Sequence, residues 1–160
     1  MTKDKIPSSP AILALKAQNA VFTLHHYKYE EKGGTRVSAR ELGVDEHCII
    51  KTLIMEDENA KPLIILMHGD REVSTKTLAR SIGVKSIMPC RPDIAEKHTG
   101  YKVGGTSPLG TKKTLPVYME KTIGEMSSIF INAGRRGLLA QISATEIVRI
   151  LHPIQVSVAI

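Results

Sequence analysis

Cysteine is scarce in this 160-residue chain: Cys48 and Cys90 stand far apart and form no Cys-x-x-Cys pair. A disulfide scaffold and a zinc finger therefore lack support, and two buried free thiols in a reducing compartment are expected. Long apolar runs are missing too. The longest, Leu63 to Met67, is strand-sized, whereas a membrane span needs about 18 or more residues. The opening MTKDKIPSSP is charged and lacks the apolar segment of a secretory signal, so the cytoplasm is the expected compartment. No repeat, low-complexity tract or Ser/Gly/Pro linker divides the chain, and one domain over residues 1–160 is expected. The signatures of zincins, of α/β-hydrolase nucleophile elbows and of dinucleotide-binding loops are all absent. His47, His68, His98 and His152 show no ligand spacing, and the adjacent His25 and His26 would point to opposite faces of a strand. No metal site is expected.

What remains is an ordinary globular composition, 42% apolar and 24% charged. A chain of this size buries roughly 70% of its unfolded surface, enough for a core without staples. Lys and Arg outnumber Asp and Glu by 22 to 16, a net charge of +6. That balance points to a polyanionic partner only where the charge is clustered.

The punctuation is that of a mixed domain. Ser9-Pro10 opens a helical pattern through Ala20, and Val21 to Tyr29 alternates as a strand. Gly33-Gly34 reads as a mobile turn before a short helix from Val37 to Leu42. Cys48 to Met55 and Leu63 to His68 read as a hairpin, and helices are predicted from Ser74 to Ile82 and from Pro92 to Lys97. Leu115 to Met119 and Ile129 to Asn132 look like further strands, and Ser143-x-x-Glu146 is a capping box for a helix to Leu151. Hairpins interrupted by short helices give an α+β class, with a central mixed or barrel-like sheet.

Three features carry chemical interest. Lys51 shares a strand face with Ile49, Leu53 and Met55, which suits either a pocket wall or a snorkelling surface lysine. The segment from Gly100 to Lys113 holds Gly104-Gly105, Pro108 and Lys112-Lys113. Its glycine spacing resembles a Walker loop, but Thr111 stands where the lysine belongs, so triphosphate hydrolysis is not expected. Such a loop can offer backbone N–H groups to an anion or an ester carbonyl, or simply make a tight hairpin. Gly134-Arg135-Arg136-Gly137 is a basic turn that, with Lys102, Lys112 and Lys113, could form a basic rim or a solvated one.

Taken in order, Lys51-Thr52-Leu53, then His98-Thr99-Gly100-Tyr101 running through Val103-Gly104-Gly105-Thr106-Ser107-Pro108 to Lys113, and Ala133 to Leu138 resemble the YbaK family. Its members are free-standing relatives of the editing domain inserted in bacterial prolyl-tRNA synthetases. The resemblance spans nearly the whole chain and implies a barrel-like, mixed, largely antiparallel sheet with peripheral helices. It implies trans-editing, the release of mischarged cysteine from Cys-tRNA(Pro), with no cofactor and neither a membrane nor DNA as partner. The partners it implies are aminoacyl-tRNA and a prolyl-tRNA synthetase that lends tRNA selectivity. Lys51, Gly104 and Gly105 would be catalytic. Tyr27, Thr99, Pro108, Asn132 and Gly134 would contact substrate, and Lys112, Lys113, Arg135 and Arg136 would contact tRNA. In a cysteinyl substrate its own thiol would attack the ester, while the Gly104-Gly105 backbone holds the oxyanion. Asn132 and Leu139 depart from the family's usual serine and acidic residue, which leaves another small aminoacyl group, such as alanine, as an alternative substrate. A non-catalytic tRNA- or synthetase-binding module that keeps the fold is a second alternative.

Overall fold

In the computed structural model, residues 7–160 are described, and the charged opening Met1 to Ile6 lies outside them. Helix α1 (Pro10–Ala17) starts where Ser9 caps it: Ser9 Oγ accepts from the Ile12 N–H at 3.1 Å. The chain continues through β1 (Phe22–His26), α2 (Gly34–Leu42), a 3-10 turn (Glu46–Cys48), β2 (Ile49–Asp57) and β3 (Pro62–His68). Next come α3 (Thr75–Ile82), β4 (Ile87–Pro89), α4 (Pro92–Thr99) and β5 (Val117–Glu120). A second 3-10 turn (Lys121–Glu125) leads into β6 (Ser128–Arg135), β7 (Leu138–Ser143), α5 (Ala144–Leu151) and β8 (Ile154–Val156).

All eight strands join one mixed sheet, in the order β1-β7-β6-β2-β3-β5-β8, with β4 paired to β2 off that path. The hairpins β2–β3 and β6–β7 and the pairs β1–β7 and β2–β4 are antiparallel, whereas β2–β6, β3–β5 and β5–β8 are parallel. The fold is thus α+β with a mixed, largely antiparallel sheet.

One face of the strands wraps a single core. Ile50 and Ile54 of β2, Ile64 and Leu66 of β3, and Ile129 and Ile131 of β6 meet there, closed by α1 and α5. The opposite face carries two separate clusters. One packs Met55, Leu63, Ile65 and Met67 under α3, and the other packs Ile49, Phe130 and Leu139 under α2. Lys51 lies on that outer face, between the two.

Local details differ from the sequence reading. Gly34 is the first residue of α2 instead of part of a mobile turn, and α1 stops at Ala17. Both cysteines are free but partly exposed, not buried.

Candidate functional site

β2 has a full neighbour on only one edge. β3 pairs along it from Ile50 to Glu56, but on the other edge β6 takes only Ile49 and Ile50, and β4 only Met55 to Asp57. Between those contacts the sheet splits, and a cleft of about 1050 Å³ opens there. Its walls come from the β1–α2 connection (Tyr27, Tyr29), the start of α2 (Thr35), the middle of β2, the start of α4, the loop from Lys102 to Thr106, and Asn132, Arg136 and Leu139.

Lys51 is held at the cleft's outer side. Its Nζ donates to the Arg71 carbonyl at 2.5 Å and lies 3.6 Å from a Glu72 carboxylate oxygen. The lysine side chain is 18% exposed, against 81% for Glu72, so the charge is reachable from the cleft but restrained. Tyr27 lines the same cleft, half-buried, and burial pushes its phenol up.

The glycine loop is shaped by close backbone approach. Gly104 has φ +88°, and a Cβ there would fall 2.4 Å from the Tyr29 phenol oxygen. A Cβ on Gly105 would fall 2.9 Å from the Arg136 nitrogen, so the loop lies directly on the β6–β7 turn. Three bonds fasten it. Arg136 Nε donates to the Val103 carbonyl at 2.8 Å, Asn132 Nδ2 donates to the Gly104 carbonyl at 3.2 Å, and the Tyr101 hydroxyl donates to the Leu109 carbonyl at 2.6 Å. The Arg136 guanidinium also sits over the Tyr29 ring, 5.3 Å from its centroid.

The Gly105 N–H is engaged within the loop, donating to the Lys102 carbonyl at 2.8 Å. Among the described residues the Gly104 and Thr106 N–H groups have no such acceptor, and both residues line the cleft, whereas Gly105 does not. Gly104 and Thr106 therefore join Lys102 and Val103 as cleft-lining residues with open N–H donors, and Gly105 does not.

The cleft thus gathers Lys51, Tyr27, Gly104, Asn132 and Arg136, but not every residue singled out from the sequence. Thr99 is buried, donating its hydroxyl to the Ala95 carbonyl and accepting from the Tyr101 N–H. Pro108 is buried behind the loop, and Gly134 (φ +93°) packs against the Tyr101 ring and Ser9. These three shape the scaffold under the loop. Asn132 is occupied as well: its Oδ1 accepts from the Gly134 N–H at 2.7 Å while Nδ2 braces Gly104. Lys112, Lys113 and Arg135 are exposed outside the cleft, with Lys113 Nζ 3.1 Å from His98 Nδ1. Desolvation and the Lys113 charge together hold the His98 imidazole below its usual range.

Tyr29, Thr52, Glu72, Cys90 and Thr106 also line the cleft and were not anticipated. Only Thr52 and Thr106 had a sequence signal, because each adjoins a residue that was singled out. Cys90 is no ready nucleophile, since burial and the neighbouring Glu56 push its thiol up to about 11.

The family model for the aminoacyl-tRNA editing domain matches residues 31–150. A proposed Cys-tRNA(Pro)/Cys-tRNA(Cys) deacylase of Enterococcus faecalis, EbsC, is 31% identical over 114 residues, covering 71% of this chain and 70% of that protein. A proline–tRNA ligase of Limosilactobacillus fermentum is 25% identical over 104 residues, 62% of this chain but 18% of the ligase. Among solved structures, a proposed trans-editing enzyme for prolyl-tRNA synthetase superposes with TM-score 0.82 at 17% identity, covering 96% of this chain and 98% of the other. A hypothetical protein, APE2540, superposes with TM-score 0.86 at 22% identity, covering 95% and 100% of the two chains. At these identities the structural matches speak for the fold.

Proposed function

The chain belongs to the aminoacyl-tRNA editing domain family, which makes it an aminoacyl-tRNA deacylase, and from that premise we propose that it releases cysteine from Cys-tRNA(Pro). The observation that carries the reading is one cleft lined by both Lys51 and the glycine-loop residues Gly104 and Thr106. The enzyme acts as one domain over residues 1–160, in trans to a prolyl-tRNA synthetase.

An aminoacyl ester is already activated, so the site needs charge stabilisation more than a strong nucleophile. The N–H groups of Gly104 and Thr106 are the donors that would receive the developing oxyanion, and Lys51 adds positive charge beside it. Asn132 and Arg136 hold the loop in place by its Gly104 and Val103 carbonyls, which fixes where those donors point. In the cysteinyl substrate the thiol sulfur attacks the ester carbonyl. A carbon–sulfur bond forms, the ester carbon–oxygen bond breaks, and the thiol proton passes to the departing ribose oxygen of the tRNA. The products are a thiolactone and free tRNA, and the thiolactone hydrolyses to cysteine in water. The apolar lining from Ile49, Leu53 and Leu139 suits a small, weakly polar side chain. Lys112, Lys113 and Arg135, outside the cleft, meet the tRNA phosphates.

The test is deacylation of Cys-tRNA(Pro), Ala-tRNA(Pro) and Pro-tRNA(Pro) by the wild type and by Lys51→Ala. Cysteine-selective release, reduced about a hundredfold in the variant, is the expected result. A change below about threefold would remove Lys51 from the mechanism. Selective release of alanine would reassign the substrate, and no release of any of the three would overturn the reading.

A further inference from the structure

Alternate residues of β2 send their backbone groups to opposite edges. The Ile49 carbonyl accepts from the Gly69 N–H at 2.7 Å and the Asp57 N–H donates to Lys61 at 3.1 Å, so odd-numbered residues face β3. The Ile54 carbonyl accepts from the Cys90 N–H at 3.0 Å, so even-numbered residues face the other edge. Thr52 stands midway between the short contacts made there by β6 and β4. Its N–H and C=O therefore point into the unpaired stretch, where the cleft lies. Independently, the Thr52 hydroxyl is the one buried side-chain oxygen or nitrogen among the described residues that lacks a hydrogen-bond partner. An unmatched hydroxyl in the wall of a cleft marks a place where something else supplies the partner.

We propose that Thr52 is a substrate-binding residue whose hydroxyl and carbonyl oxygens accept from the α-ammonium group of the aminoacyl ester. The assignment rests on the deacylase reading and adds a determinant to it. Two neighbouring acceptors on a free strand edge suit an ammonium group, which brings three donors. On its α4 side the cleft carries the carboxylates of Glu96 and of Asp93, the latter paired with Arg91 at 2.9 Å, while Lys32, Lys102 and Arg136 line it elsewhere. Cys90 and Ala95, beside those carboxylates, pack against the core face that Ile50 and Ile54 share with Thr52. Lys51 projects from the opposite face of the strand, toward the ester oxygen rather than the ammonium group. The hydroxyl is sealed from solvent in the free protein, and a χ1 step to the next staggered well moves it from that position.

The probe is 3′-alanylamino-3′-deoxyadenosine, which resists hydrolysis, together with its N-acetyl form, which lacks the ammonium group. Calorimetry on the wild type should show the free amine binding about tenfold or more tighter than the acetylated form. Thr52→Val keeps the shape and removes the hydroxyl. It should lose about ten- to a hundredfold for the free amine and little for the acetylated form, while Thr52→Ser stays within about threefold of wild type. The melting temperature of Thr52→Val should equal or exceed that of wild type, because an unmatched hydroxyl is removed. Equal affinity of wild type and Thr52→Val for the free amine would overturn the assignment. So would wild-type indifference to acetylation, even if Thr52→Val failed to fold, and so would no binding at all. Turnover of aminoacyl-tRNA by the wild type is read separately. Turnover with an indifferent Thr52→Val sinks the assignment alone, whereas no turnover sinks the deacylase reading.

Discussion

Gly105→Ala isolates how much the position of the glycine loop matters. Gly105 does not occupy the left-handed region, so alanine meets no backbone strain there and the cost is wholly steric. The added Cβ would lie 2.9 Å from the Arg136 nitrogen, 3.0 Å from the Arg135 carbonyl carbon and 3.3 Å from the Arg135 Cα. All three are backbone atoms, so no rotamer change relieves the contact. The loop and the β6–β7 turn must part by roughly half an ångström to reach ordinary contact, a modest overpacking that costs about 1–3 kcal/mol. At about 2–4 °C per kcal/mol for a domain of this size, the melting temperature should fall by about 2–12 °C. The Gly104 and Thr106 donors sit on either side of residue 105 and move with it. A misplacement of about 1 Å costs about a hundredfold in rate, so about half that should cost tenfold or more. The assay pairs thermal unfolding with single-turnover deacylation at a temperature where the variant is fully folded. A variant that melts lower but deacylates within twofold of wild type would refute the claim that this packing positions the donors. An unchanged melting temperature would refute the close approach itself.

Replacing Lys112 and Lys113 together by alanine should weaken tRNA binding and lower the salt slope by about 1.4–1.8, near 0.7–0.9 per phosphate contact. Cleavage of a minimal aminoacyl-adenosine should be unchanged by it, since both lysines lie outside the cleft; equal salt slopes would make them ordinary surface residues. The second prediction concerns His68, almost fully buried, with its Nδ1 2.8 Å from the His47 carbonyl and its Nε2 2.7 Å from the Thr122 hydroxyl. Desolvation holds this imidazole below 6.5, outweighing the opposing His47 backbone hydrogen bond. The unfolded chain then takes up the proton first as pH falls, so the contribution is complete above about pH 6.5 and lost as pH falls through the lower folded value. Denaturant midpoints should decline below pH 6.5, and His68→Gln should flatten that decline; an identical pH slope would assign it to other groups.

Much of the fold was legible because its elements alternate or carry caps. Ser9 and Ser143 do accept from the N–H three residues on, and Ile49 to Met55 splits by parity into the two faces the sequence implied. β7 escaped because Leu138, Leu139 and Ala140 are all buried, one face on the main core and the other under α2. A strand covered on both sides shows no alternation to read. β8 is a three-residue edge strand, too short to leave a pattern.

The candidate site was legible only in part, for a related reason. Lys51 stood out because a charge on an apolar face is locally visible, and the glycines because their spacing is. The cleft between them exists because β2 changes partner along one edge, from β6 to β4, leaving Thr52 with no strand beside it. That is a property of pairing between segments some 40 and 80 residues distant from each other in the chain, and nothing in the residues around Thr52 declares it. Non-local packing also separates two glycines that are equivalent in sequence: close approach to Arg135 and Arg136 buries Gly105 and leaves Gly104 on the cleft. Composition near a site therefore names the chemistry available, while the strand order determines which of those groups are left unpaired to perform it.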